Sequence, residues 1–164
     1  MVGCQLKNKR FFASILVGVQ FLSLGVLITL LFRYPSHQYQ IINGMSVVAG
    51  LAIIAMAYLR LKPALQVSPL PKSGAPYITT GIYRFVRHPM YLGVLMIGLG
   101  LAGATHVVAG WIIYGVLLID LNVKARFEDH LLAQIHPEAL SHQRHTSRIL
   151  PCLGGGCRGG CSPT

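Results

Sequence analysis

Acidic side chains are almost missing from this chain. Four Asp and Glu stand against 14 Lys and Arg in 164 residues, and charged residues of both signs make up only 11%. So little charge, beside 53% hydrophobic residues, excludes an ordinary soluble domain. No internal repeat is visible, which excludes a solenoid or propeller. Cysteine is scarce: Cys4 stands alone, and Cys152, Cys157 and Cys161 follow a C-x4-C-x3-C spacing that matches no standard zinc site. The glycines around that trio make residues 152–164 read as a flexible tail, so no metal is expected.

What fills the chain instead is long apolar runs. Phe11–Phe32 is 22 residues without a charge and Ile41–Leu59 is 19 more, each long enough as a helix to cross a bilayer. Lys7, Lys9 and Arg10 precede the first run as they would in a signal peptide. The run exceeds the usual signal length, however, and no small-residue cleavage pattern follows it. The third region, Tyr91–Val123, has 33 residues, and Thr105-His106 interrupts it between Gly103 and Gly110. A helical hairpin over 91–105 and 108–123 is the economical solution, with one re-entrant or strongly tilted helix as the alternative. The expected fold class is therefore all-α. It is an integral membrane bundle of about four helices, over 11–32, 41–59, 91–105 and 108–123, in one domain of residues 1–151.

The cations cluster before the first run, between the second and third, and after the fourth. Only Arg33 lies in the opposite loops. The positive-inside rule then puts both termini and the 60–88 loop in the cytoplasm, where the cysteines stay reduced. The net charge of +10 is a topology signal with some attraction to anionic lipid. No nucleic-acid partner is expected, because the cations are divided among membrane-edge loops. Gly98-Leu-Gly100-Leu-Ala-Gly103 satisfies G-x-G-x-x-G, but a dinucleotide fingerprint needs a preceding strand. Inside an apolar helix such glycines serve close helix packing.

This topology brings two polar clusters to one membrane face. Tyr83, Arg87, His88 and Tyr91 lie at the start of the third helix, where Pro89 suits the first turn. Lys124, Arg126, Glu128 and Asp129 lie past the fourth run, and Asp120 near its end. Arginine, lysine and tyrosine at membrane edges often serve only as anchors. The joint pattern argues for a site: a helix N-terminus and cations for a carboxylate, carboxylates for hydroxyls or an amine, and phenols for a cation.

Tyr77-Ile-Thr79-Thr80-Gly81-Ile-Tyr83, then Arg87-His88-Pro89-Met90-Tyr91-Leu-Gly93, resembles the signature of isoprenylcysteine carboxyl methyltransferases and their bacterial relatives, a family similar to the membrane phospholipid methyltransferases. A basic residue before Glu128-Asp129 and Leu131-Leu132 matches its second signature. The resemblance implies an S-adenosylmethionine-dependent methyltransferase of a multi-pass, bacterial inner-membrane kind, acting on a lipophilic or small carboxylate, thiol or amine acceptor. Carried over by residue, it implies cofactor contacts at Tyr83, His88, Pro89, Met90, Tyr91, Glu128 and Asp129, with Tyr77 and Ile78 covering the cofactor. Lys124 or Arg126 takes the substrate-contacting place, and His88 or Glu128 is a candidate base for a thiol or amine acceptor. The chain departs from the family after the acids: Ile135–His142 lacks the usual aromatic-glycine pair, and no tyrosine follows Tyr114. Two other readings stand beside this one. Membrane sterol reductases carry a similar His-Pro-x-Tyr-x-Gly element, although Val94 stands here where they usually have an acid. The altered tail also suits a non-catalytic homologue.

Overall fold

A computed structural model describes residues 2–35, 40–61, 81–105, 107–135 and 146–149, with side chains described from residue 11 to 131 within those segments, except at Leu61, and over 146–149. Four α-helices follow in order: α1 Val2–Arg33, α2 Gln40–Leu61, α3 Pro89–Gly103 and α4 Val108–Ile135, with a 3-10 turn at Gly81–Arg84 before α3. Among the described residues there is no strand, only an isolated parallel bridge between Val86 and Ser147. The loop residues Tyr77 and Ile78 and the Cys-rich tail lie outside the described residues.

The expected four helices are present, but they are unequal. Phe11–Arg33, Gln40–Arg60 and Val108–Leu131 are long and apolar enough to cross a membrane. The 15 residues of α3 are apolar but short. At about 22 Å, α3 alone does not cross a hydrocarbon core of about 30 Å. Its start is set by proline: Pro89 occupies the first turn, and His88 is outside helical geometry at φ −119°, ψ 65°. Its end is closed by Ala104 N–H donating to the Gly100 and Leu101 carbonyls and by Thr105 Oγ1 donating to Ala102 O at 2.8 Å. At the other end of the hairpin, α4 runs on without a break past Lys124 to Ile135.

The glycines of α3 decide its neighbours. Gly93 faces α2, where a methyl group would lie 2.7 Å from Gly50 O, and a methyl on Gly100 would lie 2.6 Å from Asn43 O. Ser46 Oγ donates to Met96 O at 2.8 Å across the same seam. Gly98 faces α4 instead, against Leu117 and Tyr114. The hairpin of α3 and α4 thus exists as expected, but the closest backbone approach of α3 is to α2. On the other side α1 packs on α4, with Phe12 and Phe127 edge to face at 5.5 Å. Leu95, Leu117, Leu121 and Ala125 form the core, joined by Ile149 from the C-terminal segment. Large apolar side chains such as Phe21, Leu22, Ile41 and Ile119 stay exposed, as lipid-facing residues do.

Gly50→Ala is therefore expected to destabilise the bundle by about 1–3 kcal/mol, since its methyl would lie 2.5 Å from Gly93 O. Gly44→Ala on the same helix meets no neighbouring atom within 4 Å and should leave stability unchanged or slightly raised. Thermal unfolding of both variants in detergent checks this.

Candidate functional site

The hairpin places the first turn of α3 beside the last turns of α4, and a third segment locks onto both. Arg87 N–H donates to Ser147 O at 2.9 Å and His88 N–H to Arg148 O at 3.0 Å. The backbone ahead of α3 is thus tied to residues 146–149, whose Ile149 is buried in the core. Gly81 starts the preceding turn at φ +67°, a conformation that favours glycine.

Side chains then converge on the paired acids of α4. Asp129 Oδ2 accepts from Arg87 Nη1 at 2.8 Å and from Arg148 Nε at 3.0 Å. Asp129 Oδ1 lies 2.9 Å from His88 Nε2. The other imidazole nitrogen, Nδ1, faces Glu128 Oε2 at 3.5 Å. Glu128 Oε1 accepts from the Tyr91 hydroxyl at 2.5 Å. The His88 and Tyr91 rings stack with centroids 5.3 Å apart. Lys124, one helical turn before Glu128, sets its Nζ 4.9 Å from the Tyr91 ring centroid and donates to Gln20 Oε1 on α1 at 3.1 Å.

Burial disfavours charge on His88, but its hydrogen bonds to Asp129 and Glu128 outweigh that and raise its pKa above the usual 6.5. The two carboxylates thus favour the imidazolium form. Tyr83, buried in the 3-10 turn, is pushed up to about 12 by its burial and by the charge of Glu128, so its phenol stays protonated.

Of the residues singled out from the sequence, His88, Tyr91, Lys124, Glu128 and Asp129 are brought together. Pro89 is buried and Met90 half-buried at the α3 start, and Tyr83 lies within the field of Glu128. Arg126 is exposed. Two residues beyond Lys124 it lies about 200° around the helix and away from the cluster. Gln20 was not among the expected site residues, although a polar side chain within an uncharged 22-residue run is a signal of its own. Arg148 is a further contributor from the C-terminal segment, and nothing local in the sequence announces its partner on α4.

A model of the family described as Phospholipid methyltransferase matches residues 39–139, well over half the chain. The chain belongs to the phospholipid methyltransferase family. The resemblance read from the His88 and Glu128 signatures is thereby borne out, and the family is one of membrane methyltransferases. None of the curated proteins matches the chain. The stretch shared with the phospholipid methyltransferases covers α2, α3 and α4 and nearly all of the cluster. Gln20 and Arg148 contact the cluster from outside it.

Asp129→Ala leaves Arg87, His88 and Arg148 facing a hole, and a loss of about 3 kcal/mol or more is expected in detergent unfolding. The raised pKa of His88 gives a second expectation. A group whose folded pKa lies above its unfolded value stabilises fully below the unfolded pKa and loses that contribution as pH rises through the folded one. Melting temperature should therefore fall as pH rises above 6.5. In His88→Gln the part of that slope due to this residue should vanish.

Proposed function

We propose that this protein is an integral membrane methyltransferase that uses S-adenosylmethionine, holds it between the start of α3 and the last turns of α4 at the cytoplasmic face, and methylates a lipophilic acceptor. The observation that carries this reading is the joining of Glu128, Tyr91 and His88 at the first turn of α3. These residues suit such a ligand. Glu128 keeps 19% of its side chain exposed, and among the described residues its Oε2 has only the 3.5 Å contact with His88, so it can accept from ribose hydroxyls or an amino group. The opened N-terminus of α3, beside Arg87 and His88, suits a carboxylate. Tyrosine faces and carboxylates suit a sulfonium cation.

When bound, S-adenosylmethionine supplies a methyl group on a sulfonium, transferred by in-line displacement. What the chain supplies is position, and alignment of two reactants is worth several kcal/mol. Tyr91, fixed by stacking on His88 and by its bond to Glu128, is the rigid wall of the site. Lys124 fills the substrate-contacting place, because Arg126 faces elsewhere. Asp129 has cations on both oxygens and acts as a positioning residue, holding His88 and Arg87 in place. The cytoplasmic orientation rests on the cations of the loop before α3 and of the chain after residue 123, against Arg33 alone between α1 and α2.

Equilibrium binding of labelled S-adenosylmethionine to the detergent-purified protein tests this. Saturable binding is expected, weakened about tenfold or more in Glu128→Gln, as loss of a charged hydrogen bond implies. Equal binding by both proteins, or oxidation of reduced nicotinamide cofactor, the chemistry of the sterol reductases, in place of donor binding, would contradict it.

A further inference from the structure

Two exposed arginines stand together outside that site. Arg60 ends the apolar span of α2, and its side chain lies along the 3-10 turn: a methyl on Gly81 would sit 3.4 Å from Arg60 Nε. Arg84 closes the same turn three residues after Gly81, about 6 Å along it. Both guanidiniums can therefore reach one ligand placed between them. Neither has a hydrogen bond or ion pair among the described residues. The chain has only four acids with which to answer them. Asp129 and Glu128 are taken up by Arg87, Arg148, His88 and Tyr91, and Asp120 is buried on α4 in the field of Lys124. Glu138 lies outside the described residues and could balance only one of the two.

The surface around the pair is apolar. Phe85 beside Arg84 and Leu59 beside Arg60 are each 67% exposed. Met56, Leu59 and Arg60 share one face of α2 at i, i+3 and i+4, and exposed Val48 and Met45 continue that face along the span. A dissolved anion or an acidic peptide gains nothing from such a column, whereas acyl chains lie along it. We infer that Arg60 and Arg84 hold the phosphate of an anionic phospholipid whose chains run down this face of α2. Each guanidinium presents a fork of N–H donors that matches two phosphate oxygens, which a single point charge does not. A zwitterionic headgroup would bring its own cation beside two arginines, so a net negative headgroup is selected. This lipid is not the methyl acceptor. It sits on the α2 side of the turn, whereas Lys124 faces α1. Its binding does not rest on the methyl-transfer reading. Arg84 shares its turn with Tyr83 and stands three residues before Arg87, so the bound headgroup braces the entrance to α3.

Native mass spectrometry of the full protein in detergent, titrated with phosphatidylglycerol or phosphatidylcholine, tests this. One phosphatidylglycerol is expected to be retained about tenfold or more tightly than phosphatidylcholine, and an equal concentration of inorganic phosphate should not displace it. Changing Arg60→Gln and Arg84→Gln together should weaken its binding about tenfold or more, as loss of charged hydrogen bonds implies, and remove the preference between the two lipids. Arg126→Gln takes an exposed arginine from α4 and should leave binding within about twofold. Equal retention of the two lipids by the unaltered protein overturns the inference, whatever the stability of the variants. So does displacement by inorganic phosphate, which would make the pair a site for a dissolved anion. An equal loss in Arg126→Gln and in the double variant also overturns it, because the attraction is then spread over all the surface cations.

Discussion

Asp129 gathers cations from two distant segments of the chain. Arg87 and His88 come from the turn before α3, and Arg148 comes from the C-terminal segment. Beside the anchor that buried Ile149 provides, that carboxylate adds ion pairs beneath the backbone bonds from Arg87 to Ser147 and from His88 to Arg148. With it, His88 is held in one orientation, and its second nitrogen is delivered to Glu128. Tyr91 follows, fixed between His88 and Glu128. The arrangement of His88, Tyr91 and Glu128 is thus downstream of one ion cluster.

That cluster is tolerable only because its charges are matched. Taking ions out of water costs several kcal/mol each, which close pairing with hydrogen bonds offsets. Here the cations and carboxylates alternate, the phenol of Tyr83 remains neutral, and that of Tyr91 donates to Glu128. The apolar part of the bundle answers a different constraint. Between helices in lipid there is no hydrophobic gain, so packing depends on close approach. The glycines of α3 supply it toward α2 and α4, which leaves the α3 N-terminus rigidly placed.

Much of this was legible in the sequence because it is local. Apolar run lengths marked α1, α2 and α4; Pro89 marked the start of α3; the break at Thr105-His106 marked the hairpin. The meeting of His88 with Glu128 followed from that hairpin by topology alone. Other features depend on pairing between remote positions, which leaves no local trace. Lys124 and Gln20 are 104 positions apart, and the strap formed by Thr146 to Ile149 is defined by what it docks on. Asp129 follows Glu128 by one residue, about 100° of helix rotation, and its bonds to Arg87 and Arg148 leave no local trace in the sequence. Lys124 and Arg126 were equivalent in sequence, and only the helix face separated them.

The central claim is that a preformed cluster at the joined ends of α3 and α4 receives the methyl donor. Hydrogen exchange of the detergent-purified protein, with and without S-adenosylmethionine, tests it most directly. Added protection confined to the Gly81–Leu92 stretch and the end of α4 around Glu128, with the rest of α1 and α2 unchanged, is the predicted result. No change on adding the donor, or protection centred on the opposite ends of the helices near Thr105, would contradict the account.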